Sequence, residues 1–258
     1  MEPCDAVPRM LMALLHVLRS KGAVDLRDFQ ALADHRYQEL VSEREAREGS
    51  HTPRLPTAQL AQMAGVGSGM LVLDAGCGYG GPARELAEDF GARVIGVDRD
   101  PLRVLYAIRQ TSKQGMGDRV RFCWGDFKAL PFPDALFDLV WSMESLTGHD
   151  SAWRDDVPTG LDPDLFKEFA RVLKPSGRVA CQLFIRGPVD GDDLRRFLEM
   201  TSFALVDMDD CTETWLRCML ESIENLREDD PRKQSWRVTH DEAVRGGDRL
   251  YRFVARRS

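Results

Sequence analysis

No C-x-x-C pair occurs in the 258 residues, no histidine stands at metal-ligand spacing from a cysteine, and no apolar run is built like a membrane span. The six cysteines, at 4, 77, 123, 181, 211 and 218, are scattered. This excludes a zinc ribbon or a disulfide framework and implies a reduced, intracellular chain without a metal site. The opening "MEPCDAVPRMLMALLHVLRSKG" starts acidic, and His16 and Arg19 interrupt its apolar stretch, so it reads as neither a signal peptide nor a span. A cytoplasmic protein is expected. An excess of positive charge is also missing. The formal net charge of -7 disfavours a nucleic-acid binder, which needs a basic surface to release counterions. Arg252, Arg256 and Arg257 alternate with apolar residues at the C-terminus and read as a solvated strand face.

The composition is that of one globular unit, 43% hydrophobic and 30% charged. Apolar residues recur at helical spacing from Val7 to Leu18 and from Leu26 to Val41, predicting an N-terminal helical extension over 1–57. Its charged and then Gly/Pro-rich end, 42–57, reads as a lid or a linker, and His35 and Tyr37 on the second helix either close over the ligand or belong to a helix that packs on the domain. From residue 58 onward a second unit runs to 258. Short apolar runs at 70–75, 93–98, 119–124, 137–142 and 178–185 alternate with helical stretches near 82–90, 100–114 and 163–173, the pattern of β-α-β units. "KPSG", 174–177, reads as a turn between the last helix and its strand. A helix near 191–201, a strand near 203–208, a helix near 213–227 and the strand "RLYRFVARR" follow. The fold class is therefore α/β: a doubly wound, seven-stranded, mostly parallel sheet with an antiparallel strand at its C-terminal end.

"LDAGCGYGGPAREL", 71–84, places Gly76, Gly78 and Gly81 in a G-x-G-x-x-G pattern after a strand, with Asp98 at the end of the next one. On spacing alone a nicotinamide dehydrogenase fits. Asp74 argues otherwise, because a carboxylate at the strand mouth repels a pyrophosphate and welcomes an ammonium group. Pro82 suits a first helical turn. Asp126 follows the third strand, where it can accept from an adenine amino group, with Phe127 beside it. Plain alternatives remain: Asp98 as the cap of the helix at Pro101, Asp126 as a turn residue.

Taken in order, "LDAGCGYGG", "VIGVD", "WGDFKALPFPDALFDLVWS" and "RVLKPSG" resemble the successive motifs of class I S-adenosylmethionine-dependent methyltransferases, over roughly residues 68 to 185. The loop together with "VWSMES" is especially similar to the branch of tocopherol, sterol and natural-product enzymes. The resemblance implies a Rossmann-like methyltransferase fold and S-adenosylmethionine as cofactor. It implies that Asp74, Gly76 and Gly78 face the methionine moiety, that Asp98 accepts the ribose hydroxyls, and that Asp126 and Phe127 bracket the adenine. Arg99 and Ser142 are assigned to the same cofactor site.

Methyl transfer from a sulfonium is an in-line displacement, so alignment and exclusion of water matter most. The acceptor is expected beyond the fourth strand, at "WSMESLTGHD", where Glu144 and His149 are the candidate catalytic groups, a loop tether and a solvated turn residue being the plain alternatives. Trp141, Met143, Trp153, Trp215 and Met219 are either walls of an apolar pocket or plain core. The expected function is methylation of a carbon, nitrogen or oxygen of a small, partly apolar metabolite. The alternative is a cyclase or rearrangement enzyme of the same fold that keeps the cofactor without transferring its methyl group. Asp155 and Asp156 lack the asparagine of a metal-dependent catechol-type site, and no N-P-P-Y/F motif for clamping a flipped base is present. The expected partners are a small-molecule acceptor and a second copy of the chain in a homodimer.

Overall fold

The computed structural model describes residues 55–146, 160–187 and 189–258. The helices expected before residue 55, with His35 and Tyr37, lie outside the described residues, as do His149, Trp153, Asp155 and Asp156. Seven strands, β1 Leu71–Ala75, β2 Arg93–Asp98, β3 Val120–Trp124, β4 Phe137–Met143, β5 Leu173–Ile185, β6 Phe203–Asp210 and β7 Arg249–Arg257, form one sheet in the order β3-β2-β1-β4-β5-β7-β6. Strands β1 to β5 pair in parallel, and β7 lies antiparallel between β5 and β6. The helices are α1 Thr57–Met63, α2 Gly81–Asp89, α3 Pro101–Lys113, α4 Pro163–Val172, α5 Gly191–Met200, α6 Thr212–Asn225 and α7 Pro231–Gly246.

Three of these helices start on the same dipeptide. Asp100, Asp162 and Asp230 each cap an N-terminus by accepting a backbone N–H two residues on, and each is followed by a proline whose missing N–H costs nothing in the first turn. α5 instead uses a reciprocal capping box between Asp190 and Asp193. The apolar stripes of α4 and α5 bury Leu165, Phe166, Phe169, Leu194 and Phe197 on one face of the sheet. α1, α2 and α3 bury Leu60, Ala83, Leu86, Val104 and Ala107 on the other. A third cluster, with Leu55, Trp215, Met219, Ile223 and Trp236, seats α6 and α7 against Leu250. Strands buried on both faces read as near-continuous apolar runs, which is why β1 to β5 stand out in the sequence.

Several expectations need correcting. "KPSG" is no separate turn: it lies within β5, where the register jumps from Phe137 opposite Leu173 to Leu139 opposite Arg178, so the four residues bulge out of a continuing strand. Gly177 is needed there for room rather than for a left-handed backbone, since a Cβ would come within 2.9 Å of Leu173 Cδ2 and 3.0 Å of the Lys174 carbonyl oxygen. α7 was not anticipated. Arg252 does not lie on a solvated face; it is 2% exposed, whereas Arg256 is exposed. Trp141, Trp215 and Met219 are core residues. Among the described residues no helix is long and apolar enough to cross a membrane.

Candidate active site

The strand order reverses direction between β1 and β4, and ligands of open α/β sheets bind at the carboxyl ends of the strands at such a switch point. The glycine loop leaves β1 there. Gly76, Gly78 and Gly80 have φ of 80°, 51° and 75°, a left-handed backbone that side chains other than glycine seldom accept. At Gly76 there is no room either: a Cβ would stand 2.3 Å from Cβ and Oγ of Ser145, which follows β4. The loop is thereby pressed against the neighbouring strand tip.

The first N–H groups of the loop are committed to β2. Gly76 and Cys77 donate to the Val97 carbonyl at 2.8 and 3.1 Å, and Gly78 donates to Asp98 Oδ2 at 2.8 Å. A pyrophosphate cradle needs such donors turned toward the ligand, so this arrangement speaks against a dinucleotide. Asp98 is 5% exposed, and its second oxygen accepts the Asp100 N–H at 2.9 Å. The helix cap that Asp98 was a candidate for belongs to Asp100. Each Asp98 oxygen takes one backbone donor and has a further lone pair to offer a hydroxyl.

Asp74 is buried at the end of β1, opposite Gly96 on one side and Trp141 on the other. The buried Cys77 thiol is within electrostatic influence of both Asp74 and Asp98. Burial, reinforced by these two carboxylates, pushes its pKa well above the usual value, so the sulfur stays protonated and is no nucleophile.

Asp126 is exposed beyond β3 and closes a turn by accepting the Lys128 N–H at 2.9 Å. Phe127 is buried in the core beneath the loop, with Cε1 3.6 Å from the place a Gly76 Cβ would occupy. The ring is thus part of the core rather than an open stacking face. Arg99 is exposed, and its carbonyl accepts the Trp124 indole N–H at 2.9 Å. Ser142 is fully buried; its Oγ lies 3.0 Å from the Ala75 carbonyl oxygen and 2.6 Å from Ser145 Oγ, which itself lies 2.7 Å from that carbonyl, so two hydroxyl protons are shared among three contacts. Ser142 thus pins the tips of β1 and β4 together.

Glu144 follows β4 with φ of 54°. Strand alternation would send its side chain to the face opposite Gln182, because Met143 is the residue in register with Gln182. The left-handed backbone undoes that. Glu144 N–H donates to the Gln182 carbonyl at 2.8 Å, and Gln182 Nε2 donates to Glu144 Oε1 at 2.6 Å. A non-glycine residue held so, at a cost on the order of 1 kcal/mol or more, is a feature that clusters at functional sites.

Two aromatic residues at this edge escaped the sequence reading. Trp124 stands beside Asp98 in the β2–β3 register, and Tyr79, at the loop tip, packs edge-on against Tyr106 with the Arg103 guanidinium 5.8 Å from its ring centroid. An aromatic closing the strand next to Asp98 was the available signal for Trp124.

Residues 72–177 match a family model described as a methyltransferase domain. They form a class I, S-adenosylmethionine-dependent methyltransferase domain. The chain is 42% identical over 118 residues to a sterol 24-C-methyltransferase of Eremothecium gossypii, covering 46% of this chain and 29% of that protein. It is 36% identical over 137 residues to the 27-O-demethylrifamycin SV methyltransferase of Amycolatopsis mediterranei, covering 53% and 46%. The chain thus spans less than half the length of these relatives. A geranyl diphosphate C-methyltransferase from Streptomyces coelicolor A3(2), solved with Mg2+, geranyl diphosphate and S-adenosyl-L-homocysteine, shares its fold. The TM-score is 0.65 at 20% identity, over 78% of this chain and 79% of that one. At this edge the structure offers a fixed buried acid, Asp98, a second buried acid, Asp74, and a loop that no side chain can thicken.

Proposed function

We propose that this chain transfers the methyl group of S-adenosylmethionine to a small, partly apolar metabolite. The observation that carries the reading is the pairing, across the switch point, of a fixed Asp98 on one side of the glycine loop with a fixed Glu144 on the other. Asp98 accepts the ribose hydroxyls; Asp74 with the backbone of Gly76 and Gly78 holds the amino-acid end. Arg99, Asp126 and the Phe127 backbone border the adenine, with Trp124 as an aromatic wall. Ser142 acts through Ala75 and Ser145, keeping the two strand tips at a constant spacing. The cofactor, when bound, supplies an electrophilic methyl carbon on a sulfonium with a good leaving group.

What the chain must add is alignment and desolvation. Glu144 faces the acceptor, binding a polar group on it or stabilising positive charge that develops there; His149 takes the acceptor proton where one is lost. Relatives named for a sterol and for 27-O-demethylrifamycin SV support a partly apolar acceptor and leave its identity open. Incubation with methyl-labelled S-adenosylmethionine and a panel of apolar natural-product precursors tests the reading. Label in an acceptor, with stoichiometric S-adenosylhomocysteine, is expected. Conversion of a precursor without release of S-adenosylhomocysteine would make the chain a cyclase or rearrangement enzyme of this fold instead.

A further inference from the structure

The buried guanidinium of Arg252 has no place in the cofactor site, yet it lies at the centre of a polar chain that ends there. On β7, Arg252 is in register with Gln182 of β5, and its Nε donates to Gln182 Oε1 at 2.8 Å. Its Nη1 donates to Gln59 Oε1, and its Nη2 to the Pro56 carbonyl at 3.0 Å, both at the start of α1. Asp209 of β6 lies opposite it on the other side. A buried guanidinium is costly unless its donors are satisfied, and an arginine only donates. Gln182 must therefore turn its oxygen toward Arg252, which forces its amide nitrogen toward Glu144. The amide has one orientation that serves both neighbours, and in that orientation Glu144 Oε1 must accept. Gln182 is itself fully buried, so no water substitutes for either bond at low cost.

We infer that Arg252 is a positioning residue for Glu144, and that through Arg252 and Gln182 the docking of residues 56–59 on the domain and the aim of the Glu144 carboxylate form one coupled unit. Residues 56–59 lie at the start of α1, against the guanidinium. Lifting them from Arg252 leaves donors of a buried cation to be satisfied anew; Gln182, bonded to the same guanidinium, adjusts with it, and Glu144, at φ of 54°, then loses the bond from Gln182 that holds its carboxylate. Glu144 is thus held in its aim while residues 56–59 are seated. The significance for catalysis rests on the proposed role of Glu144; the coupling itself does not.

The test is residue-resolved amide exchange by NMR on the whole chain, with calorimetric titration of S-adenosylhomocysteine alongside. Gln59→Ala removes an exposed partner far along the chain of bonds from Glu144. Exchange of the Glu144 amide is expected to quicken by about threefold to tenfold in Gln59→Ala, while the amides of Cys181 and Phe253 in the β5–β7 pairing stay protected. In a Gln182→Leu background Gln59→Ala should change nothing further at Glu144. Arg252→Lys, which keeps the charge and loses the fork, should loosen residues 57–63 and Glu144 together, with S-adenosylhomocysteine affinity within about twofold of wild type. Unchanged exchange at Glu144 in Gln59→Ala, or a change that persists in the Gln182→Leu background, overturns the coupling. Should Gln182→Leu fail to fold, loosening of one end alone in Arg252→Lys overturns it. Failure of the wild type to bind S-adenosylhomocysteine would instead sink the proposed function and leave the exchange result standing.

Discussion

At the scale of single residues, the site depends on positions where a side chain is forbidden or held in one pose. Gly76 is the clearest. Gly76→Ala must accept a left-handed backbone, costing about 1 to 2 kcal/mol, and push Ser145 from the strand tips it joins, costing about as much again by overpacking. Urea unfolding is expected to show a loss of about 2 to 4 kcal/mol, and a loss under 1 kcal/mol would mean that loop and β4 tip are not pressed together as described. Cys77 makes a second, opposite prediction. Its thiol pKa is raised by burial and by Asp74 and Asp98, so it should resist alkylation at mildly alkaline pH in the native protein and react once unfolded. Rapid native labelling of Cys77 would show that the loop opens. The roles of Asp98 and Asp126 were suggested by their places at strand ends, which any reader of the sequence can count. The Glu144–Gln182–Arg252 chain was not legible, because its members are 38 and 70 residues apart and meet only through strand register. Alternation with apolar residues made Arg252 look solvated; the residues of α1 that cover it cannot be read from β7.

At the scale of elements, a clasp ties α4 to the connection from β3 to β4. Arg171 of α4 donates to the carbonyls of Leu130 and Phe132, at 3.1 and 2.8 Å, and to the carboxylates of Asp134 and Glu168, both at 2.7 Å. Glu168 also accepts the Leu130 N–H at 2.8 Å. The Arg171 bond, aided by that N–H and opposed by partial burial, holds the Glu168 carboxyl below its usual pKa. A carboxyl that is more acidic folded than unfolded contributes stability that is complete above the unfolded value, about 4.3, and fades as pH falls through the folded one. Glu168→Gln should therefore be less stable than wild type by about 1 kcal/mol at neutral pH, with the gap closing toward about pH 3. A gap that does not depend on pH would assign the loss to packing instead. Strands β1 to β5 were readable because each is a short apolar run between helical stretches. α7 went unread because its sequence, "PRKQSWRVTHDEAVRG", has no sustained apolar stripe, although the Asp230-Pro231 start repeats the signal of α3 and α4. "KPSG" misled for a related reason: Pro and Gly mark turns and bulges alike, and only the β4 register distinguishes them.

At the scale of the whole molecule, the sheet order 3-2-1-4-5-7-6 gathers the tips of β1, β2, β3 and β4 at one edge, so that residues spread in sequence from Asp74 to Glu144 meet along one rim. The central claim is that this edge binds S-adenosylmethionine through Asp98. Calorimetric titration of wild type and Asp98→Ala with S-adenosylhomocysteine tests it most directly. One molecule should bind per wild-type chain, and the variant should bind more weakly by about 1 to 3 kcal/mol, roughly fivefold to 150-fold. Equal affinity in the two proteins, or no binding to the wild type, would contradict the account.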